Sequence, residues 1–391
     1  MTDVLHAITP GDHFSPRTGS AIPTVVDGLA AAAGGDTSRY RHFVVLDRST
    51  MRPRYDTAEV IEYTGVRGPT KRERVLDLAR GRMGLERSAV ARFYEPLAEA
   101  IRTREPAFVL AHNAPVLTWL LRDTEHRVVL YAHNDLLRTY SRLEAGRVLD
   151  GAAAIVCVSD SLAERTRTAL PKKLAERVHV VRNGFDCERF APSPNRDGAA
   201  SATRNARLRV IFVGRMIAEK GPDVLIRAAQ HLARPDVEYL LVGSRGFARD
   251  APLSAYEQEL RRLAAEATAA SGADIRFEPF VDRSSLPDLL RSADLLVVPS
   301  RWAEPSGLTA AEGLASGVPV IASRVGGLPD VVGSAGVLVP PDDPAALAEA
   351  IAMLADDPDA RRRLSQQARA HALSHDWSWA WSNLRRVLEE L

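Results

Sequence analysis

Short apolar, β-branched runs alternate with longer amphipathic stretches along the whole chain, and the series runs through twice. Residues 4–8, 42–46, 107–111, 127–131, 154–158 and 178–181 make the first set of strands, with helical patterns over 22–33, 90–101 and 161–169 between them. A second set follows at 208–213, 239–242, 275–277, 295–298, 318–321 and 336–339. Strands that are apolar throughout are buried on both faces, and strand–helix alternation with right-handed crossovers makes a parallel, doubly wound sheet. Two such series predict an α/β chain of two Rossmann-like domains. A length of 391 residues agrees, at roughly 150 residues per domain.

The boundary is expected at 191–206, where Pro, Ser, Ala and Gly replace any periodicity. This gives a first domain over 1–190 and a second over 207–375. The last sixty residues read as helices over 345–354, 358–372 and 377–391. The final helix, taken as 376–391, is expected to return to the first domain. Trp377, Trp379 and Trp381 open it at a spacing of two, which cannot share one helical face. At least one of them is therefore expected to pack outside the helix's own domain.

Composition excludes several classes. Hydrophobic residues at 46% and charged residues at 26% suit a globular protein and not a disordered one. A net charge of +1 supplies no field to hold nucleic acid. Cys157 and Cys187 are too few for a disulfide framework and lie in no metal-ligand spacing. The opening residues lack a basic stretch leading into an apolar one, and no apolar run approaches the length of a membrane span. A cytoplasmic protein is expected, with a peripheral place at the inner face of the membrane as the alternative. That alternative rests on residues 67–92, where eight basic side chains face three acidic ones, a net of +5.

The chemistry concentrates in the second series. After the strand at 208–213 come Gly214, Arg215, Lys220 and Gly221, which put two cations at the carboxyl edge of a parallel sheet, where open α/β sheets bind ligands. Two cations so placed suit a diphosphate. After the strand ending at Pro299 come Glu304, a turn at Gly307 and a helix of small residues containing Glu312. The free N–H groups of that helix start suit an anion, and a buried carboxylate at Glu312 needs a hydrogen-bonding partner.

These residues resemble a known family. Glu304 and Glu312 enclose seven residues, matching the Glu-x7-Glu element of the retaining glycosyltransferases of family 4, which have the GT-B fold. Gly214-Arg215…Lys220-Gly221 is similar to that family's Gly-Arg…Lys-Gly segment. Asn183-Gly184…Asp186…Phe190 and Gly317…Pro319…Gly326-Gly327…Asp330 resemble two further elements, with Asp330 standing where the family has Glu. The resemblance implies two domains facing an interdomain cleft. It implies that Arg215 and Lys220 bind the diphosphate of a nucleoside-diphosphate sugar, helped by backbone N–H groups of Gly307, Leu308 and Thr309. Glu312 would accept from the ribose, Glu304 from the donor sugar, and backbone near Val281 would read the base. Gly19, where Thr18 replaces a first glycine of the family loop, would touch phosphate. His133 matches the family's histidine near the donor sugar, with His112 and Asn134 as acceptor-side candidates. Neither cofactor nor metal is implied.

The expected activity is therefore transfer of a hexosyl group from a nucleotide sugar, UDP-linked by preference, to a hydroxyl of a glycan, glycolipid or small metabolite. The anomeric carbon would keep its configuration. A sugar-nucleotide epimerase of the same fold and a non-catalytic nucleotide-sugar-binding protein are the rivals. Ser306 stands where the family has an aromatic ring, which alters the wall of the sugar pocket.

Overall fold

The computed structural model describes residues 1–35, 39–192, 207–246 and 251–391. Most of the segment read as a linker, 193–206, lies outside the described residues. The chain forms two compact units, Met1–Gly184 with Trp377–Leu391, and Phe185–Asp376.

The first unit is built on a seven-stranded parallel sheet in the order β3-β2-β1-β4-β5-β6-β7. Its strands are β1 (Thr2–Ala7), β2 (Tyr40–Asp47), β3 (Glu59–Tyr63), β4 (Phe108–His112), β5 (Arg127–Ala132), β6 (Ala154–Cys157) and β7 (Val178–Val180). Strand β3 escaped the sequence reading because Glu59 and Glu62 interrupt its apolar pattern. Charge of that kind suits a sheet edge, which is where β3 lies. The helix Ser88–Arg102 buries Leu97 and Ile101 in a cluster with Leu5, Val45 and Val109. A second cluster joins Val4, Leu110 and Val129 to the helices Ala21–Gly35 and Trp377–Glu389.

The final helix contributes the largest of these groups. Trp381 is 1% exposed and meets Tyr40 edge to face, with ring centroids 5.5 Å apart. Burying one such ring is worth about 4–6 kcal/mol of transfer free energy. All three tryptophans pack on this one cluster of the first unit, outside the domain they follow in sequence, as expected. The helix is gripped on two sides, Trp381 by Tyr40 of β2 and Trp377 by Gly28 of the helix Ala21–Gly35. One helical face is therefore not required.

The second unit has a six-stranded parallel sheet in the order β10-β9-β8-β11-β12-β13. Its strands are β8 (Leu208–Val213), β9 (Val237–Val242), β10 (Asp274–Glu278), β11 (Leu295–Val298), β12 (Val320–Ser323) and β13 (Val337–Val339). In each sheet the winding reverses beside the first strand, between β1 and β4 and again between β8 and β11. Loops leaving the carboxyl ends on either side of such a reversal diverge and open a crevice. Among the described residues no helix is long and apolar enough to cross a membrane.

Candidate active site

In the second unit the residues singled out from the sequence stand at this reversal. Strand β8 runs into Gly214 and Arg215, whose exposed guanidinium makes no ion pair among the described residues. A single turn, Ala218–Lys220, then ends at Gly221 with φ +68°. A side chain there would place its Cβ 2.1 Å from the Pro299 carbonyl oxygen. Only glycine lets the loop after β8 lie against the loop after β11, and this contact brings the two halves of the site together. Lys220 Nζ stands 2.6 Å from Glu304 Oε1, and the Ser300 hydroxyl donates to the same oxygen at 2.6 Å. Glu304 is buried, and its carbonyl accepts from the N–H of Gly327 at 2.6 Å.

The helix Leu308–Ala315 begins four residues after Glu304. Its N-cap, Gly307, has φ +100° and no side chain caps the first turn. The N–H groups of Leu308 and Thr309 thus stand at an uncapped helix start, the arrangement that receives anions. Glu312 lies inside this helix and is buried, with Arg283 Nη1 2.6 Å from its Oε1. Burial pushes the Glu312 carboxyl up, and the Arg283 guanidinium opposes the shift.

Arg283 was not anticipated, because its partner lies across a loop that the sequence does not position. The same is true of Arg301, which grips Asp223 with two bonds of 2.6 Å while Tyr256 donates to that carboxylate at 2.6 Å. Burial raises the Asp223 carboxyl, but Arg301 outweighs burial and holds it below the usual range. This network stiffens the loop that carries Glu304. Val281 is half-buried in the loop after β10. A cavity of about 270 Å³ lies at the carboxyl ends of β8, β9 and β10, lined by Met216, Gly243, Ser244, Phe277, Glu278 and Pro279, among others.

In the first unit Gly19 is exposed just before the helix Ala21–Gly35. Ser20 braces that turn through its N–H to Thr18 Oγ1 and its hydroxyl to Asp12 Oδ2, each at 3.1 Å. His133 follows β5 at the carboxyl edge and is 6% exposed. Its N–H donates to Asn113 Oδ1 at 2.8 Å, and Asn113 takes φ +52° after β4 to present that oxygen. Asn134 is exposed beside it. The acceptor-side expectation for His112 is corrected. Its ring is fully enclosed, with Nδ1 2.8 Å from His133 Nε2 and Nε2 2.9 Å from His6 Nδ1. It backs His133 and does not line the edge.

Two family descriptions match this chain, Glycosyltransferase Family 4 over residues 41–189 and Glycosyl transferases group 1 over residues 196–371. The two parts of the chain thus each match a glycosyltransferase family. Among its sequence relatives is D-inositol 3-phosphate glycosyltransferase 1 of Catenulispora acidiphila, 38% identical over 250 residues. That stretch covers 61% of this chain and 59% of the relative. The D-inositol 3-phosphate glycosyltransferase of Streptomyces coelicolor is 36% identical over 60% of this chain and 56% of its own length. The chain therefore spans less than two thirds of the length of these curated relatives.

Solved structures match the chain end to end. Sucrose-phosphate synthase from Thermosynechococcus elongatus superposes with a TM-score of 0.77 at 19% identity, covering 100% of this chain and 99% of its own. Anabaena Alr3699/HepE, in complex with UDP and glucose, gives 0.72 at 19% identity over 100% of both chains. At that identity the likeness establishes the GT-B fold.

Proposed function

We propose that this protein acts in the cytoplasm and moves a hexosyl group from a UDP-sugar to an acceptor hydroxyl, with retention and without a metal. The observation that carries the reading is the Lys220–Glu304 contact of 2.6 Å beside the uncapped helix start at Gly307. A cation suited to phosphate and a carboxylate suited to sugar hydroxyls stand side by side where the winding of the sheet reverses.

In this reading Arg215 and Lys220 neutralise the diphosphate, each contact worth about 1.5–3 kcal/mol. The N–H groups of Gly307, Leu308 and Thr309 hold the same group. Glu312 accepts from the ribose through Oε2 while Oε1 stays on Arg283. Backbone near Val281 reads the base, beside the cavity that Pro279 helps to line. Gly19 reaches phosphate, His133 the donor sugar, and Asn134 the acceptor. The bond from anomeric carbon to phosphate oxygen breaks as the acceptor oxygen bonds that carbon on the same face. The acceptor's proton passes to the departing phosphate oxygen. Rate then comes from positioning and from stabilising charge on the leaving group.

The UDP preference is supported by the Anabaena neighbour, whose structure holds UDP and glucose. The names of the sequence relatives make D-inositol 3-phosphate the first acceptor to try. Calorimetric titration with UDP, GDP, ADP, dTDP and their sugar conjugates, in the presence of a chelator, tests the donor site. Saturable binding of the UDP series, weakened at least roughly tenfold by Arg215→Ala, is the expected result. Absence of binding across the panel overturns the reading.

Residues 67–92 support a peripheral contact with an anionic membrane. Val75, Leu76, Met83 and Leu85 are exposed there among Arg72, Arg74, Arg80 and Arg82. Apolar side chains within a basic surface suit a bilayer of anionic lipid.

A further inference from the structure

Four histidines cross the first unit in a single hydrogen-bonded row. His133 Nε2 lies 2.8 Å from His112 Nδ1, His112 Nε2 lies 2.9 Å from His6 Nδ1, and His6 Nε2 lies 2.9 Å from His42 Nδ1. All four rings are buried. The strand register explains the row. His42 pairs with Val4, two residues before His6; His6 pairs with Leu110, two before His112; His112 pairs with Tyr131, two before His133. Alternate residues share a face, so the imidazoles climb one face of the sheet diagonally from the middle of β2 to its carboxyl edge. They meet pairwise along a line and do not converge on a point. Among the described residues no group of His, Cys, Asp or Glu is arranged for a metal ion.

Every link joins Nε2 of one ring to Nδ1 of the next. A neutral imidazole has one N–H and one lone pair, so all four rings must carry the proton on the same nitrogen. If one is the Nε2–H form, all are, and His133 turns a bare Nδ1 outward. If one is the Nδ1–H form, all are, and His133 turns an N–H outward. Burial drives each ring below its ordinary pKa, which keeps the row neutral. At the inner end His42 Nε2 is enclosed without a hydrogen-bond partner, and the His42 ring meets Trp381 edge to face at 4.8 Å.

We propose that His42, His6, His112 and His133 are one tautomeric unit, through which a ring packed on the C-terminal helix sets whether His133 offers a donor or an acceptor at the sheet edge. His42, His6 and His112 are then positioning residues. Their part in transfer rests on the reading of His133 given above; the shared tautomer does not.

Long-range proton–nitrogen correlation spectra of the full chain, labelled with [15N]histidine, test the unit directly. The expected result is four neutral rings with one common tautomer at pH 6 and at pH 8. A ring of the row in the opposite tautomer, or charged at pH 6, overturns the proposal. His6→Phe cuts the row while keeping its bulk, and should leave His133 populating both tautomers. His6→Gln, whose amide both donates and accepts, should restore one. A His133 that keeps its single tautomer in His6→Phe also overturns the coupling. In transfer assays His6→Phe should lower kcat by roughly two- to tenfold, the scale of one hydrogen bond, with KM for the nucleotide sugar unchanged. If the tautomers agree but kcat does not move, the unit stands and the role of His133 in transfer falls.

Discussion

Lys220 and Glu304 hold each other at 2.6 Å across two loops of the second unit, so the cation assigned to the diphosphate is neutralised until another anion competes for it. The two residues should then respond oppositely to substitution. Lys220→Ala should weaken UDP binding by about 1.5–3 kcal/mol, roughly ten- to 150-fold. Glu304→Gln should leave UDP binding equal or tighter, because Lys220 is released, while sugar transfer falls. Calorimetry with UDP, alongside transfer assays, separates the two. A Glu304→Gln protein that loses UDP affinity as Lys220→Ala does would show that the pair serves structure and not ligand.

Glu312 and Arg283 form a more enclosed pair, with side-chain exposures of 8% and 13%. Glu312→Ala leaves a guanidinium in a poorly solvated place, which costs about 3–5 kcal/mol for a buried pair. The double substitution to methionine should cost far less, since no charge is then left behind. Hydrogen exchange of the backbone amides of residues 185–376 during chemical denaturation reports this unit, and equal losses in the single and double variants would refute the pairing argument.

The histidine row makes the first unit sensitive to acid. Burial lowers His42 to about 4 and His133 to about 3, and lowers His6 and His112 well below the ordinary value. An unfolded histidine binds its proton near about 6.5. Between those values the unfolded chain holds more protons, so stability falls as pH drops below about 6.5 and goes on falling until the folded rings titrate. Each ring contributes up to about 1.4 kcal/mol per pH unit in that window. His42→Phe should reduce the slope of stability against pH between 6.5 and 5 by up to one proton. An unchanged slope would mean His42 is not held neutral by the fold.

Gly28 faces Trp377 so closely that a Cβ would come within 2.2 Å of the indole ring. Gly28→Val should destabilise the first unit by about 1–3 kcal/mol through overpacking. Shortening the ring with Trp377→Leu in the same chain should recover part of that loss. Additive losses in the double variant would place the strain elsewhere.

Vesicles with and without anionic lipid test residues 67–92. We expect co-sedimentation that requires anionic lipid and weakens when Arg72, Arg74, Arg80 and Arg82 are changed to Gln. Salt should weaken it as well, since exposed charges are screened. Equal binding to neutral vesicles, or none to either, removes the membrane contact.

Much of this was legible in the sequence because it is local. Apolar runs gave the strands of both sheets except β3, and the turn at Gly307 gave the helix carrying Glu312. Relations across the sheet were not legible. His6 and His42 each read as one polar residue in an apolar strand and His112 as an acceptor-side candidate, and only the register reveals that every ring stands two residues beyond its neighbour's partner. Arg283 and Arg301 were missed for the same reason, since their carboxylate partners lie 29 and 78 positions away. Asn113 left no signal, because a positive φ at a non-glycine residue is a tertiary outcome.

The course of the chain also bears on how it is made. Phe185–Asp376 is continuous, whereas the first unit takes Trp377–Leu391 into its core. Domains tend to fold in the order in which they leave the ribosome, yet here the leading 184 residues emerge with the place of Trp381 unfilled and His42 uncovered. The middle of the chain can reach its final form while translation is still under way. The beginning must wait for the end.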